Sequence, residues 1–419
     1  MNVEKLLGMG VVALGIVSGC GGNASAPDGG PGNDAAAVID MGGPAPDGGT
    51  TLDTGSPGVD AASTDAPMSD AGPRAMVTTS VMLAYTPSAI VYDATTPKLY
   101  VAMTDVSSNG RGIAVLDPTT LAVTTTFTNP NPMSATNAPR IDSLALDEAA
   151  HVLYAGSGQY VFVIDATTGT LAHSISVPDG ATSIRLETTT HRLYGVGSRS
   201  VAPPMRSQAV LVIIDTTTAT IAHTVPLTDL SYPVLDNALA FDPTTNSVYV
   251  CGGDSVNTFA MTAVDTLDGA TGAATAAQRT FAGSVVGCTG EGPAATVATR
   301  APGADLLDPG HFDPGADFHE TGVVSDHGVT LVTGYSMSTG AVQYYATTGA
   351  CAGVVKTIEA LNPDAIGGIE RGVIGAAGLG HGDSTTTTPF FYHSFAPVMT
   401  DSGVVMQTGV TRADVPTCP

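Results

Sequence analysis

The sequence predicts an all-β protein assembled from repeated four-stranded antiparallel units, and three observations carry that prediction. A pattern of roughly 40 to 55 residues recurs four times between Ala89 and Gly272. Within each copy, short apolar and β-branched runs alternate with Gly, Thr, Asp and Pro punctuation, the signature of strands joined by tight turns. Composition agrees: 50 Gly, 28 Pro, no Trp and only 12% charged residues suit short strands with many turns, and no stretch reads as a long amphipathic helix.

In chain order, the first element is MNVEKLLGMGVVALGIVSGC, a short polar start with Lys5 and an apolar run from Leu6 to Val17. That run is too short to span a bilayer comfortably and reads as an export signal. Its end, Val17-Ser18-Gly19-Cys20, resembles the lipobox of bacterial lipoproteins. The resemblance implies lipidation of the Cys20 thiol and removal of residues 1–19. Gly21, standing where an Asp favours inner-membrane retention, implies the outer membrane, with the periplasmic or surface face left open. An ordinary secretory signal with an incidental Cys is the alternative.

Residues 20–74 form the second element. Gly, Pro, Ala and Asp dominate, aromatics are absent between Gly21 and Pro73, and eight aspartates (28, 34, 40, 47, 53, 60, 65 and 70) recur there without a Lys or Arg. Such a segment buries too little apolar surface to offset its chain entropy, so a disordered tether reaching roughly 40 Å is expected. A calcium-binding array would need a fixed glycine frame, which this spacing lacks.

The third element, residues 75–419, holds the repeats. The copies begin at Ala89, Asp142, Thr182 and Asn237. An acidic residue at Asp93, Asp147, Glu187 or Asp242 precedes Tyr100, Tyr154, Tyr194 or Tyr249 by seven positions. A second aspartate, read as Asp117, Asp165, Asp215 and Asp265, ends the next apolar run. Strand, turn, strand, loop, strand, turn, strand accounts for each copy, with acid side chains accepting turn N–H groups. Each tyrosine is expected to pack its ring between sheets and leave its hydroxyl near the rim. One meander cannot bury both faces, so copies must stack, and units of this length stack radially into a β-propeller.

The phrases DATTPKLYVA, DPTTNSVYVCGG and VIDATTGTLAHSISVP resemble the YVTN-type propeller repeats of bacterial surface and periplasmic proteins. The resemblance covers Ala89 to Gly272 and departs at the motif's Asn, where Met103, Ser157, Gly197 and Gly253 stand. Beyond Ala273 the period blurs, but GVTLVTGY, AVQYYATTG, GVVKTIEAL, GVIGAAGLG, PFFYHSF and GVVMQTGV remain strand-like. Length favours seven blades, six being the alternative, and a β-sandwich appended after Gly272 is the rival architecture. Insertions at Val106 to Gly112, Arg199 to Ser207 and Asp254 to Thr258 share one place in the repeat and should emerge on one face.

Cys251, Cys288, Cys351 and Cys418 form an even set in an exported chain, which favours disulfides over metal binding or catalysis. Three pairings are open. Cys251 with Cys288 and Cys351 with Cys418 is the expected one, the second as a C-terminal clasp on a closed ring. His151, His191, His173 and His223 recur at fixed offsets from the repeat acids and are read as scaffold. The 305–327 stretch, LLDPGHFDPGADFHETGVVSDHG, concentrates carboxylates and imidazoles. His311, Asp313, His319, Glu320 and His327 are its candidate ligands for a divalent cation, whether calcium, zinc or copper. The plain alternative is an acidic loop whose Asp-Pro-Gly triplets make turns. His381 and His393 would join such a site only if their blades share its rim.

No G-x-S-x-G, H-E-x-x-H or phosphate loop is present, no cofactor is firmly implied, and GAAGLGHGD lacks a strand-to-helix setting. Residues 75–419 carry 29 acidic and 12 basic side chains, a balance that repels nucleic acid unless Arg192, Arg199 and Arg206 form a local patch. The expected function is therefore a lipid-anchored cell-envelope propeller binding a protein, peptide or glycan without catalysis. A metal-dependent hydrolase or lyase using the 305–327 loop is the alternative, and a purely structural or adhesive envelope protein the third reading.

Overall fold

Each repeat acid does locally what its position predicts. In the computed structural model, Asp93 Oδ1 accepts the N–H groups of Thr95 and Thr96, both at 2.9 Å. Asp147 accepts from Ala150 at 2.9 Å, Glu187 from Thr189 at 2.8 Å and Asp242 from Thr244 at 2.8 Å. These side-chain caps reverse the chain and set strand against strand. The structure describes residues 76–104, 110–128, 140–201, 207–231, 238–254, 263–280, 285–289, 296–299, 318–326, 329–336, 342–346, 356–357, 372–379, 387–400 and 403–416.

The described residues are all-β, without a helix. The first sheet is β2 (Thr86–Asp93), β3 (Lys98–Thr104), β4 (Gly110–Leu116) and β5 (Val123–Phe127), paired in that order. The second is β6 (Ser143–Asp147), β7 (Val152–Ser157), β8 (Tyr160–Asp165) and β9 (Leu171–Ser176). The third comprises β10 (Ser183–Glu187), β11 (Arg192–Ser200), β12 (Ser207–Asp215) and β13 (Thr220–Ser231). The fourth comprises β14 (Leu239–Asp242), β15 (Ser247–Asp254), β16 (Ala263–Asp268) and β17 (Arg279–Thr280); the pairs Leu230–Asp254 and Ser231–Gly253 join it to the third. β18 (Val285–Thr289) and β19 (Thr296–Thr299) form a two-stranded sheet. β20 (Phe318–Asp326), β21 (Val329–Ser336), β22 (Val342–Ala346) and β23 (Lys356–Thr357) form the next four-stranded sheet. The last runs β24 (Gly372–Leu379), β25 (Thr387–Thr400), β26 (Gly403–Pro416) and then β1 (Met76–Met82).

That last sheet holds the main surprise. Its fourth strand comes from the opposite end of the described chain, with Met76 opposite Asp414 and Met82 opposite Gly409. Nothing in the repeat pattern assigns residues 76–82 a place, because the first recognisable copy starts only at Ala89.

Sheets pack face against face. Tyr100, Ile113 and Phe127 of the first sheet share a buried cluster with Leu153, Phe162 and Ile164 of the second. Val161 and Ile175 of the second meet Leu193 and Val212 of the third, and Tyr194 and Leu211 of the third meet Phe241 and Val250 of the fourth. On the other face of the first sheet, Tyr92 stacks on Phe391 of the last, with ring centroids 5.7 Å apart. First strands pack on first strands throughout: β2 on β6, β6 on β10, β10 on β14, β14 on β18, β18 on β20, β20 on β24, and β24 on β2.

The second turn of each repeat is a bulged hairpin. Asp117, Asp165, Asp215 and Asp268 each accept the N–H of the residue three positions on, which is a threonine every time. The fourth-copy acid is thus Asp268, a correction of the expected Asp265. Asp265 lies inside β16 opposite Val250 and accepts a hydrogen bond from Gln278 Nε2 at 3.0 Å. The threonine three residues later, present after Asp268 and absent after Asp265, is the signal that separates them. One residue past that threonine the backbone turns left-handed, at Leu121 (φ 56), Gly169 (φ 73), Ala219 (φ 51) and Gly272 (φ 72). In the first turn the equivalent positions are His151 (φ 53), His191 (φ 54) and Asn246 (φ 52). Histidine and asparagine tolerate this region better than most side chains, which supports the scaffold reading of the two histidines.

The tyrosines correct a second expectation. Tyr100 and Tyr194 are fully buried and their hydroxyls do not sit at a rim. Tyr100 Oη donates to Ala166 O at 2.9 Å and Tyr194 Oη to Gly269 O at 3.0 Å, each in the following sheet. Tyr154 packs its ring into the cluster shared with the third sheet, where burial pushes its hydroxyl up and the Thr216 side chain opposes that rise. Ala166, Thr216 and Gly269 all directly follow the second turn acid, and each donates its own N–H to the left-handed residue of its sheet's first turn: His151, His191 and Asn246. Between the last sheet and the first, Arg412 takes the tyrosine's part, donating to Pro118 O at 3.0 Å, again the residue after the turn acid. Asp414 holds its guanidinium at 3.1 Å.

Ala219→Gly should raise stability by about 0.5–1 kcal/mol in urea unfolding, since glycine removes the left-handed strain and little burial is lost. Leu121→Gly should instead cost about 2–4 kcal/mol, because Leu121 is fully buried between the first and last sheets. Burial, followed by the Asp93 and Asp165 charges, pushes the Tyr100 hydroxyl up to about 12. A raised folded value means that its contribution is complete below the unfolded value of 10.0 and is lost as pH climbs from 10 towards 12. Tyr100→Phe should therefore cost about 1 kcal/mol at pH 7 and flatten the alkaline loss of stability in thermal melts.

Candidate functional site

In a four-stranded meander, the second-to-third hairpin and the exit to the next sheet lie at one end of the strands. The capped turns lie at the other. The predicted insertions fall at the first of these ends, between Thr104 and Gly110, Ser200 and Ser207, and Asp254 and Ala263. The second sheet makes the same connection with only two residues, from Ser157 to Tyr160. Beside it a polar seam runs from the second sheet to the third.

The seam begins at Arg140, whose Nε lies 3.0 Å from Asp142 Oδ1. The Gly158 N–H also bonds the Asp142 carboxylate, while Asp142 N donates to Gly156 O at 2.8 Å. Gly158 O in turn accepts from Ala181 N at 2.9 Å, tying the hairpin to the Val177–Thr182 connection. Asp179, in that connection, accepts from Ser198 N at 2.6 Å through its carbonyl and pairs with Arg199 Nη2 at 3.0 Å through its carboxylate. The approach is so close that a Cβ on Gly197 would collide with the carbonyl oxygens of Asp179 and Gly180. Glycine is therefore required at position 197.

The two Asp–Arg pairs are partly exposed, with side-chain exposures of 19% for Asp142 and 44% for Arg140, 25% for Asp179 and 33% for Arg199. Burial pushes the Asp142 carboxyl up, against the smaller opposing effects of Arg140 and the Gly158 N–H. Below the seam, Ser143 Oγ and Ser157 Oγ are buried without a hydrogen-bond partner among the described residues, as is Arg199 Nε. Neither serine hydroxyl is bonded to a base among the described residues.

Arg192 and Arg199 do not form the basic patch considered above. Arg192 Nη1 donates to Gly269 O at 3.2 Å at the capped-turn end of β11, while Arg199 is paired with Asp179 at the other. Arg206 lies outside the described residues, as do Cys20, His311, Asp313, His327, Cys351, His381 and Cys418. His319 and Glu320 are placed by backbone on β20, opposite Tyr335 and Gly334, Cys288 on β18 and His393 on β25. Cys251 is fully buried on β15 and disulfide-bonded. Among the described residues no group of three or more His, Cys, Asp or Glu is arranged to hold a metal ion. Of the seam residues, Arg140 and Asp179 lie in connections between repeats and Asp142 opens the second copy without being singled out by the repeat pattern; the Pro-Asp-Gly turn at 178–180 was the available signal.

No family model matches the chain, and no curated protein matches it. Among solved structures it is similar to hydrazine synthase of Kuenenia stuttgartiensis, with a TM-score of 0.43 and 14% identity over 75% of this chain and 78% of that one. A likeness of that degree assigns neither activity nor ligand.

Because the folded state favours the protonated Asp142, its stabilising contribution is present at low pH and is lost as pH rises above the ordinary carboxylate range. Asp142→Asn removes the buried charge and should raise stability at pH 7. In denaturant titrations that advantage should shrink below pH 4.

Proposed function

We propose that residues 75–419 form a seven-bladed β-propeller, carried on lipidated Cys20 by the 20–74 tether, and that its loop end binds a protein, peptide or glycan in the cell envelope. The observation that carries this reading is the succession of first-strand contacts, which passes through seven strands and returns from β24 to β2. β1 completing the sheet of β24 to β26 supports it further, since joining the two ends of a chain in one blade is an economical way to close such a ring. The repeat landmarks similar to YVTN-type proteins point the same way.

Binding belongs at the loop end for a physical reason. At the capped-turn end the acids cap the turns and Tyr100 and Tyr194 bond the following sheet, so variation there costs stability. At the loop end the connections differ in length from sheet to sheet and present paired charges across the second and third sheets. The outer-membrane lipoprotein assignment rests on Val17-Ser18-Gly19-Cys20 and Gly21.

Cys20→Ser should move the full-length protein from the membrane to the soluble fraction; continued membrane association would refute the anchor. For the binding face, the purified chain would be screened on glycan and peptide arrays alongside Arg140→Ala/Arg199→Ala and a capped-turn variant, Thr167→Ala. Signals lost only in the first variant support the assignment. Signals lost only in Thr167→Ala place the site at the wrong end, and turnover of a bound glycan or peptide would overturn the non-catalytic reading.

A further inference from the structure

Tyr100, Tyr154 and Tyr194 reach across the first three junctions between sheets, but Tyr249, their counterpart in the fourth sheet, is only half-buried. Two positions along β15 from Tyr249, Cys251 is fully buried and disulfide-bonded. The chain offers four other cysteines, at 20, 288, 351 and 418. Position 288 lies on β18, whose backbone packs against both β14 and β15. A disulfide requires Cα atoms within about 7 Å of each other, and Cα atoms of β18 come within 8 Å of those of β14 and β15.

We propose that Cys251 is bonded to Cys288, and that this disulfide fastens the fourth sheet to the fifth in place of the buried tyrosine used at the three preceding junctions. The bond would close a loop through β16 and β17, limiting how far an unfolding fourth sheet could separate from β18. Its sulfur at Cys251 is shielded, so a thiolate reaches it only when the junction opens. Reduction then follows ordinary exchange. A dithiol's thiolate attacks one sulfur and the S–S bond breaks. The second thiolate then displaces the mixed disulfide, and two protein thiols and one oxidised dithiol result. The junction becomes redox-sensitive, whereas the first three, held by hydrogen bonds and apolar packing, do not.

The wild-type full chain tests the pairing directly, because trypsin places the four cysteines in separate peptides: 207–279, 280–300, 301–356 and 413–419. Mass mapping without reductant should find 207–279 linked to 280–300. Linkage of 207–279 to either of the other two peptides, or a free Cys251 thiol, overturns the proposal. After dithiothreitol treatment, amide exchange in Leu239–Asp254 and Val285–Thr289 should quicken on the order of a hundredfold, with Ser143–Asp215 unchanged. No change, or an equal change in every sheet, would refute the local role. C251S/C288S without reductant should reproduce the reduced pattern.

Discussion

A buried tyrosine hydroxyl must find an acceptor, and in this protein the acceptor belongs to the next sheet. Ala166 and Gly269 each spend their N–H on their own sheet's first turn and their carbonyl on the preceding sheet's tyrosine. Local turn geometry and inter-sheet geometry are therefore the same problem. If the turn acid failed to cap its hairpin, the following residue would shift and the neighbouring tyrosine would be left with an unpaired polar group in an apolar cluster, at a cost of about 1–3 kcal/mol. Each sheet is registered on its neighbour by a few atoms at one end, while apolar contacts between faces supply the bulk of the attraction.

This arrangement divides the labour between the two ends of the strands. The capped-turn end repeats its chemistry faithfully: acid, threonine, left-handed residue, tyrosine. Depression of Asp117, Asp165, Asp215 and Asp268 below the ordinary carboxylate range has the same origin, the N–H and hydroxyl groups of the threonines that each acid caps. Folded values below the unfolded one stabilise the protein above that unfolded value and cease to do so as pH falls through the lowered range. At the loop end the described sheets differ in length, charge and connection.

What was legible in the sequence follows from this division. The seven-residue spacing from acid to tyrosine reflects a turn of fixed length plus a strand of fixed register, so the strands of four sheets could be read from it. The Asp265 error arose because Val-Asp-Thr in the fourth copy imitates the end of an apolar strand, while the true turn lies one Asp-Gly-Ala-Thr-Gly later. The tyrosine hydroxyls were placed at a rim because a polar tip suggests water, and their acceptors, 66 and 75 residues away for Tyr100 and Tyr194, carry no local signal. Arg140, Asp142 and Asp179 carry no such signal for the opposite reason: they are not landmarks of the repeat, Arg140 and Asp179 lying between copies and Asp142 opening the second, and only the approach of two sheets brings them into one seam.

The pairing of β1 with β26 also has a temporal side. Residues 76–82 are made before any sheet of the folded part, yet their partners at 409–414 are made last. Every other described strand pairs with a strand near it in sequence, so those sheets can assemble by short loop closures as the chain emerges. β1 must wait, as an unpaired strand, for more than three hundred residues to follow it, and its joining is the longest-range closure in the fold. Without β26 the first strand has no described strand to pair with.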